Sequence, residues 1–163
     1  MITFEHVYRT YAADVFRFAL WMTGDAAQAD DITSETFVRA WTSPKRIRTE
    51  TLKAYLLTIA RNYCLEQRRR QKRRIELPAD IPDPAPGPDR LTEGKAELDR
   101  IRRFLATLPE SDAAALILRA QQGLSYEEIA RILEIPFSSA RVKVHRARKK
   151  ILQLREGKEE SPS

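Results

Sequence analysis

Arg141, Lys143, Arg146, Lys149 and Lys150 follow closely behind Ser138 and Ser139. Groups of these types do no bond-breaking chemistry; they bind anions. An arginine can take both hydrogen-bonding atoms of a guanine edge, a contact worth about 1–3 kcal/mol of discrimination. Serine hydroxyls at a helix start, beside the free amides there, hold phosphate. A second basic run, Arg68 to Arg74, has six cations in seven residues. Repulsion between like charges one turn apart costs a helix a few tenths of a kcal/mol per pair. A phosphate backbone relieves that cost through counterion release.

The acidic residues suggest contact rather than catalysis. Asp31, Ser34, Glu35 and Val38 fall at i, i+3, i+4 and i+7, one stripe of a helix, with an apolar side chain among polar ones. That pattern reads either as a solvated face or as a docking face for another protein. Asp30, Asp31 and Glu35 could also be imagined as a two-metal nuclease site, which needs convergent carboxylates. Asp30 and Asp31 are neighbours on a helix and diverge by about 100°, so no metal is expected. The single cysteine, Cys64, excludes an internal disulfide framework and Cys-cluster zinc. His6 and His145 have no metal-ligand spacing. No cofactor is expected.

Helices must position these groups. Phe4, Val7, Tyr8, Tyr11, Val15, Phe18, Ala19 and Met22 recur at helical spacing and predict a helix over about 3–22. Gly24 should stop it and Asp25 should cap the next. That second helix is expected over 26–42, burying Ala29, Ile32, Thr33, Thr36, Phe37, Ala40 and Trp41. The third starts near 49–51, runs past Arg70, and buries Leu52, Tyr55, Leu56, Ile59 and Tyr63. Farther on, Leu98, Ile101, Phe104, Leu105 and Leu108 mark a helix from Glu93. Pro109 opens another at its first position, burying Ala113, Leu116, Ile117 and Ala120 and stopping at Gly123. Ser125 and Glu128 form a capping box for a short helix facing inward through Ile129, Ile132 and Leu133. A tight turn at Glu134-Ile135-Pro136 follows. Ser138 or Ser139 should then cap a long helix that buries Ala140, Val144, Ala147 and Ile151. A short capped helix, a tight turn and a basic helix are the parts of a helix-turn-helix that enters a DNA major groove.

Residues 75–92 hold five of the nine prolines and exclude a helix or central strand. Basic and acidic side chains number 14 and 8 in residues 1–74, 1 and 4 in 75–92, and 14 and 11 in 93–163. The fold class expected is all-α: two small helical domains, 1–74 and 93–158, the second with the helix-turn-helix, joined by a proline-rich acidic linker. Only 5 glycines argue against Gly-rich phosphate loops and turn-rich sandwiches. No stretch approaches the ~20 apolar residues of a membrane span, and the first residues are too polar for a signal peptide, so no membrane insertion and a cytoplasmic location are expected.

Two blocks carry a resemblance. FEHVYRTYAADVFRFALWMTGDAAQADDITSETFVRAW with LKAYLLTIARNYCLEQRRR looks like region 2 of a bacterial sigma factor of the extracytoplasmic-function (ECF) type. LPESDAAALILRAQQGLSYEEIARILEIPFSSARVKVHRARKKI resembles region 4 of the same family. The resemblance implies a factor that binds core RNA polymerase through the β′ clamp helices and the β flap, recognises promoter DNA and initiates transcription. It implies polymerase docking through Asp31, Ser34, Glu35 and Val38, with Ser34 standing where the family usually has Gln. It implies reading of the melted promoter element through Lys45, Arg46, Arg48, Lys53, Tyr55, Arg61 and Asn62. It implies reading of the upstream element through Ser138, Ser139, Arg141, Lys143 and Arg146. Glu134 stands where many relatives have Gly. An anti-sigma factor is a further implied partner, and no enzymatic activity is implied. The alternative is an autonomous helix-turn-helix regulator, which would usually dimerise to read paired half-sites; no heptad pattern is visible.

Overall fold

A computed structural model describes residues 3–42, 51–76 and 93–160. All regular structure among the described residues is helical, in seven elements: α1 (Phe4–Thr23), α2 (Ala26–Thr42), α3 (Leu52–Glu76), α4 (Glu93–Thr107), α5 (Glu110–Ala120), α6 (Tyr126–Leu133) and α7 (Phe137–Glu160). None of the described helices is long and apolar enough to cross a membrane. Lys45, Arg46 and Arg48 and the linker prolines lie outside the described residues, as does the side chain of Leu98. The third helix continues to Glu76, two residues into the stretch assigned to the linker.

Local chemistry sets the first two helices. The Thr3 hydroxyl accepts the His6 N–H at 3.1 Å and starts α1. Gly24, with φ 71°, ends it and donates its N–H to Leu20 O at 2.8 Å; a side chain here would be strained. Asp25 Oδ1 then accepts from Ala27 and Gln28 N–H at 2.8 and 3.1 Å, capping α2. Val15, Phe18 and Ala19 meet Ala29, Ile32 and Phe37 and the Leu56, Leu57 and Ala60 side of α3. Trp41, expected on the buried side of α2, is 50% exposed, and Phe4 and Tyr8, on the apolar spacing of α1, are 39% and 41% exposed. They sit on the end turns of α1 and α2 and cover one another: Phe4 lies 5.4 Å from Trp41, and Tyr8 lies 5.0 Å from Phe37. Leu52 and Tyr55, in the first turn of α3, are likewise not fully buried.

In the second body α5 is the central helix, with every residue from Asp112 to Leu118 buried. Pro109 is its N-cap residue, one position earlier than expected, and Ala120 is exposed because the helix is leaving the core. The Ser125–Glu128 capping box is formed in both directions, and Glu134 takes the left-handed conformation (φ 56°, ψ 48°) that ends α6. Because α7 begins at Phe137, Ser138 and Ser139 lie inside its first turn and do not cap it. Pro136 precedes the helix, and its carbonyl accepts the Ala140 N–H at 3.1 Å.

The two bodies are in direct contact, with α1 against α4 and α5 and α3 against α6. Arg61 donates to both carboxylate oxygens of Glu110 at 3.1 and 2.9 Å. Lys53 Nζ donates to Gln122 O at 3.0 Å, and Gln122 Nε2 donates to Asp14 O at 2.9 Å. The Thr51 hydroxyl donates to Glu128 at 3.2 Å, and the Arg102 guanidinium lies 5.4 Å from the Trp21 ring centre.

Candidate nucleic-acid and protein interfaces

The α2 stripe is solvent-facing and braced from beneath. Asp31 and Ser34 are exposed, Glu35 is half-buried, and Val38 is 50% exposed. The Tyr63 hydroxyl donates to Asp31 at 3.1 Å, and Arg39 Nε donates to Glu35 at 3.1 Å. Arg39 also grips both oxygens of Glu66 on α3 at 3.1 and 2.9 Å, and its guanidinium lies 4.7 Å from the Tyr63 ring centre. The Glu66 hydrogen bonds, with a smaller contribution from the Glu35 hydrogen bond, outweigh burial and hold the Arg39 guanidinium above its ordinary pKa. Burial, then the Asp31 hydrogen bond, pushes the Tyr63 phenol up. Two of the stripe's carboxylates thus have fixed directions before any partner arrives. The Arg39–Glu35 pair was readable from its i, i+4 spacing, but Glu66 is 27 residues away and gave no signal.

The set assigned to a melted strand divides. Asn62 is exposed and Tyr55 half-buried. Lys53 and Arg61 face the second body and are held there by Gln122 and Glu110. Beyond them the cations of the basic run, from Arg68 to Arg73, are exposed along α3, and Arg68 donates to Met22 O at 3.3 Å.

At the start of α7, Ser138, Ser139, Lys143 and Arg146 converge with Val142 around one shallow depression. Arg141 lies beside it, exposed, with its guanidinium 5.9 Å from the Tyr126 ring centre; Arg119 covers the same ring at 4.4 Å. Two of the five predicted readers are held from below by a residue that sequence reasoning missed. Asp112, with a fully buried side chain, accepts from Arg146 Nε and Nη2, both at 2.9 Å. Lys143 Nζ lies 3.4 Å from the same carboxylate and donates to Ser111 Oγ at 3.0 Å. The Arg146 hydrogen bonds outweigh burial and hold Asp112 below the usual carboxylate range; the same pairing raises Arg146.

Among the described residues, no group of three or more His, Cys, Asp or Glu side chains is placed to hold a metal ion. Asp31 and Glu35 are committed instead to Tyr63 and Arg39. Cys64 is buried, and burial pushes its thiol up to about 12.

Comparison with known proteins matches residues 7–74 to Sigma-70 region 2 and residues 98–151 to Sigma-70, region 4. The chain is 34% identical over 145 residues to the ECF RNA polymerase sigma factor SigL of Mycobacterium tuberculosis, covering 86% of this chain and 82% of SigL. It is 31% identical over 156 residues to the ECF RNA polymerase sigma factor SigE of Mycolicibacterium smegmatis, covering 93% of this chain but only 61% of SigE. Its fold resembles the sigma factor RpoE crystallised with the anti-sigma factor NepR from Bartonella quintana: TM-score 0.79, 24% identity, 94% of this chain and 96% of that one.

Proposed function

The chain belongs to the extracytoplasmic-function RNA polymerase sigma factors, and from that premise we propose how its surfaces share the work of promoter-directed initiation. The N-terminal body, residues 1–74, docks on the β′ clamp helices of core RNA polymerase through Asp31, Ser34, Glu35 and Val38. The C-terminal body, residues 93–158, meets the β flap and lays α7 in the major groove of the upstream element. Ser138 and Ser139 take phosphate in the first turn, and Arg141, Lys143 and Arg146 approach base edges. Lys53, Tyr55, Arg61 and Asn62, with Lys45, Arg46 and Arg48 of the preceding loop, take unpaired bases after melting. Extracting a base from the duplex costs a few kcal/mol, repaid by the pocket that receives it.

The observation that carries this reading is the convergence at the start of α7. A helix opened by a formed capping box, a left-handed turn at Glu134 that ends it, and a second helix whose first turns gather Ser138, Ser139, Lys143 and Arg146 support groove recognition. The polymerase performs the chemistry and the factor supplies address and strand capture, so the chain itself is not an enzyme and works in the cytoplasm, where the polymerase is. A related fold has been solved with an anti-sigma factor, and a protein of that kind is the natural antagonist here. Lys53 and Arg61 are engaged by the second body, so strand capture by α3 requires those contacts to break.

The test is association. A gel-shift on promoter duplex with and without core polymerase should show specific binding only with polymerase. Tight specific binding by the isolated chain would favour an autonomous regulator.

A further inference from the structure

The carboxylate beneath α7 has a geometry suited to recognition as well as to packing. Asp112 sits in the first turn of α5 with no exposed side-chain surface, while the Arg146 side chain it holds is 48% exposed. A guanidinium has five N–H groups in one plane. The Nε and one Nη2 hydrogen point down into Asp112 at 2.9 Å each. Both Nη1 hydrogens and the outer Nη2 hydrogen remain, and one hydrogen from each of these nitrogens forms the end-on edge that can grip guanine O6 and N7. Arg146 borders the depression shared with Ser138, Ser139 and Val142. A free arginine must give up side-chain freedom on contact; this one is already fixed in direction.

We infer that Asp112 is a positioning residue for promoter recognition: it aims the end-on edge of Arg146 at a base of the upstream element. This rests on the proposed placement of α7 in the major groove. Lys143 is drawn toward the same carboxylate and bonded to Ser111 Oγ at 3.0 Å. Asp112 therefore spaces two cations along the helix, and the first of them to lose its direction on removal of the carboxylate is Arg146, which it holds by two bonds. The chemistry recognised is a purine edge with two acceptors, which is guanine in the major groove.

The experiment uses the full chain with core RNA polymerase on promoters whose upstream element is randomised, reading base preference at each position from the transcripts. Arg146→Ala should erase preference for guanine at one position. Asp112→Ala should relax the same position, by roughly tenfold to a hundredfold, and leave other positions unchanged. The double variant should lose no more than Arg146→Ala alone. Asp112→Asn keeps the volume but sets an amide N–H₂ against the guanidinium, so it should relax that position too; it decides the matter if the alanine variant does not fold, as read by circular dichroism. If both Asp112 variants lower initiation evenly on all sequences, or leave that position's preference intact while Arg146→Ala abolishes it, the inference is overturned and the groove reading stands. If Arg146→Ala changes no preference at all, the groove assignment falls and takes the inference with it.

Discussion

Glu110→Ala should open the contact between the two bodies. The pair it breaks is well enclosed, with Arg61 and Glu110 side chains 11% and 17% exposed and joined by two hydrogen bonds. Removing one partner of a fully buried pair costs about 3–5 kcal/mol, and an exposed pair is worth about 0.2–1 kcal/mol. This pair lies between those limits, near about 2 kcal/mol. At about 1.4 kcal/mol per tenfold, the closed-to-open ratio should fall roughly thirtyfold. The Lys53–Gln122 and Gln122–Asp14 bonds remain and will keep part of the population closed. Energy transfer between dyes on Ala27→Cys and Gln153→Cys, both exposed positions, reads the separation. Cys64 stays unlabelled because it is buried and its thiol is pushed up to about 12. Glu110→Ala should lower transfer, and the charge swap Arg61→Glu with Glu110→Arg should recover it. Unchanged transfer in a folded Glu110→Ala chain would refute the claim that this pair holds the bodies together.

Three further outcomes are expected. Asp31→Lys should weaken association with core polymerase at least tenfold in a competition assay while leaving the helical circular dichroism signal intact, since Asp31 is exposed. Glu134→Gly should raise stability to urea by about 1 kcal/mol, because the left-handed conformation at φ 56° costs an L-residue about that much. Asp112 is held below the usual carboxylate range, so its pairing stabilises the fold fully above the unfolded-state value of about 3.9. That contribution should disappear as pH falls through the depressed folded value, and the stability gap between wild type and Asp112→Asn should narrow over the same acid range. A gap that widens with acid would reverse the sign and refute the pairing.

What the sequence made legible was local. The boundary between α1 and α2 follows from Thr23-Gly24-Asp25, and the start of α6 follows from Ser125 and Glu128, because a cap and the helix it serves are only a few residues apart. Periodicity showed which side of α1 and α2 is apolar. It could not show that the end turns bearing Phe4, Tyr8 and Trp41 run past the core that would cover them. Ser138 and Ser139 looked like caps because serine favours that position, yet the helix already begins at Phe137, directly after Pro136. The interface residues went unseen for one reason: their partners are distant in the chain. Asp112 meets Arg146 across 34 residues, and Arg61 meets Glu110 across 49. A buried aspartate in the run SDAAALILRA reads simply as a helix-start acid until α7 is laid over it.

The most direct test of the account is run-off transcription with purified core RNA polymerase on a promoter library, with and without this chain. Initiation from a defined subset of promoters only when the chain is present, together with co-elution of chain and polymerase, is the predicted result. A chain that neither co-elutes with polymerase nor changes where transcripts begin would contradict it.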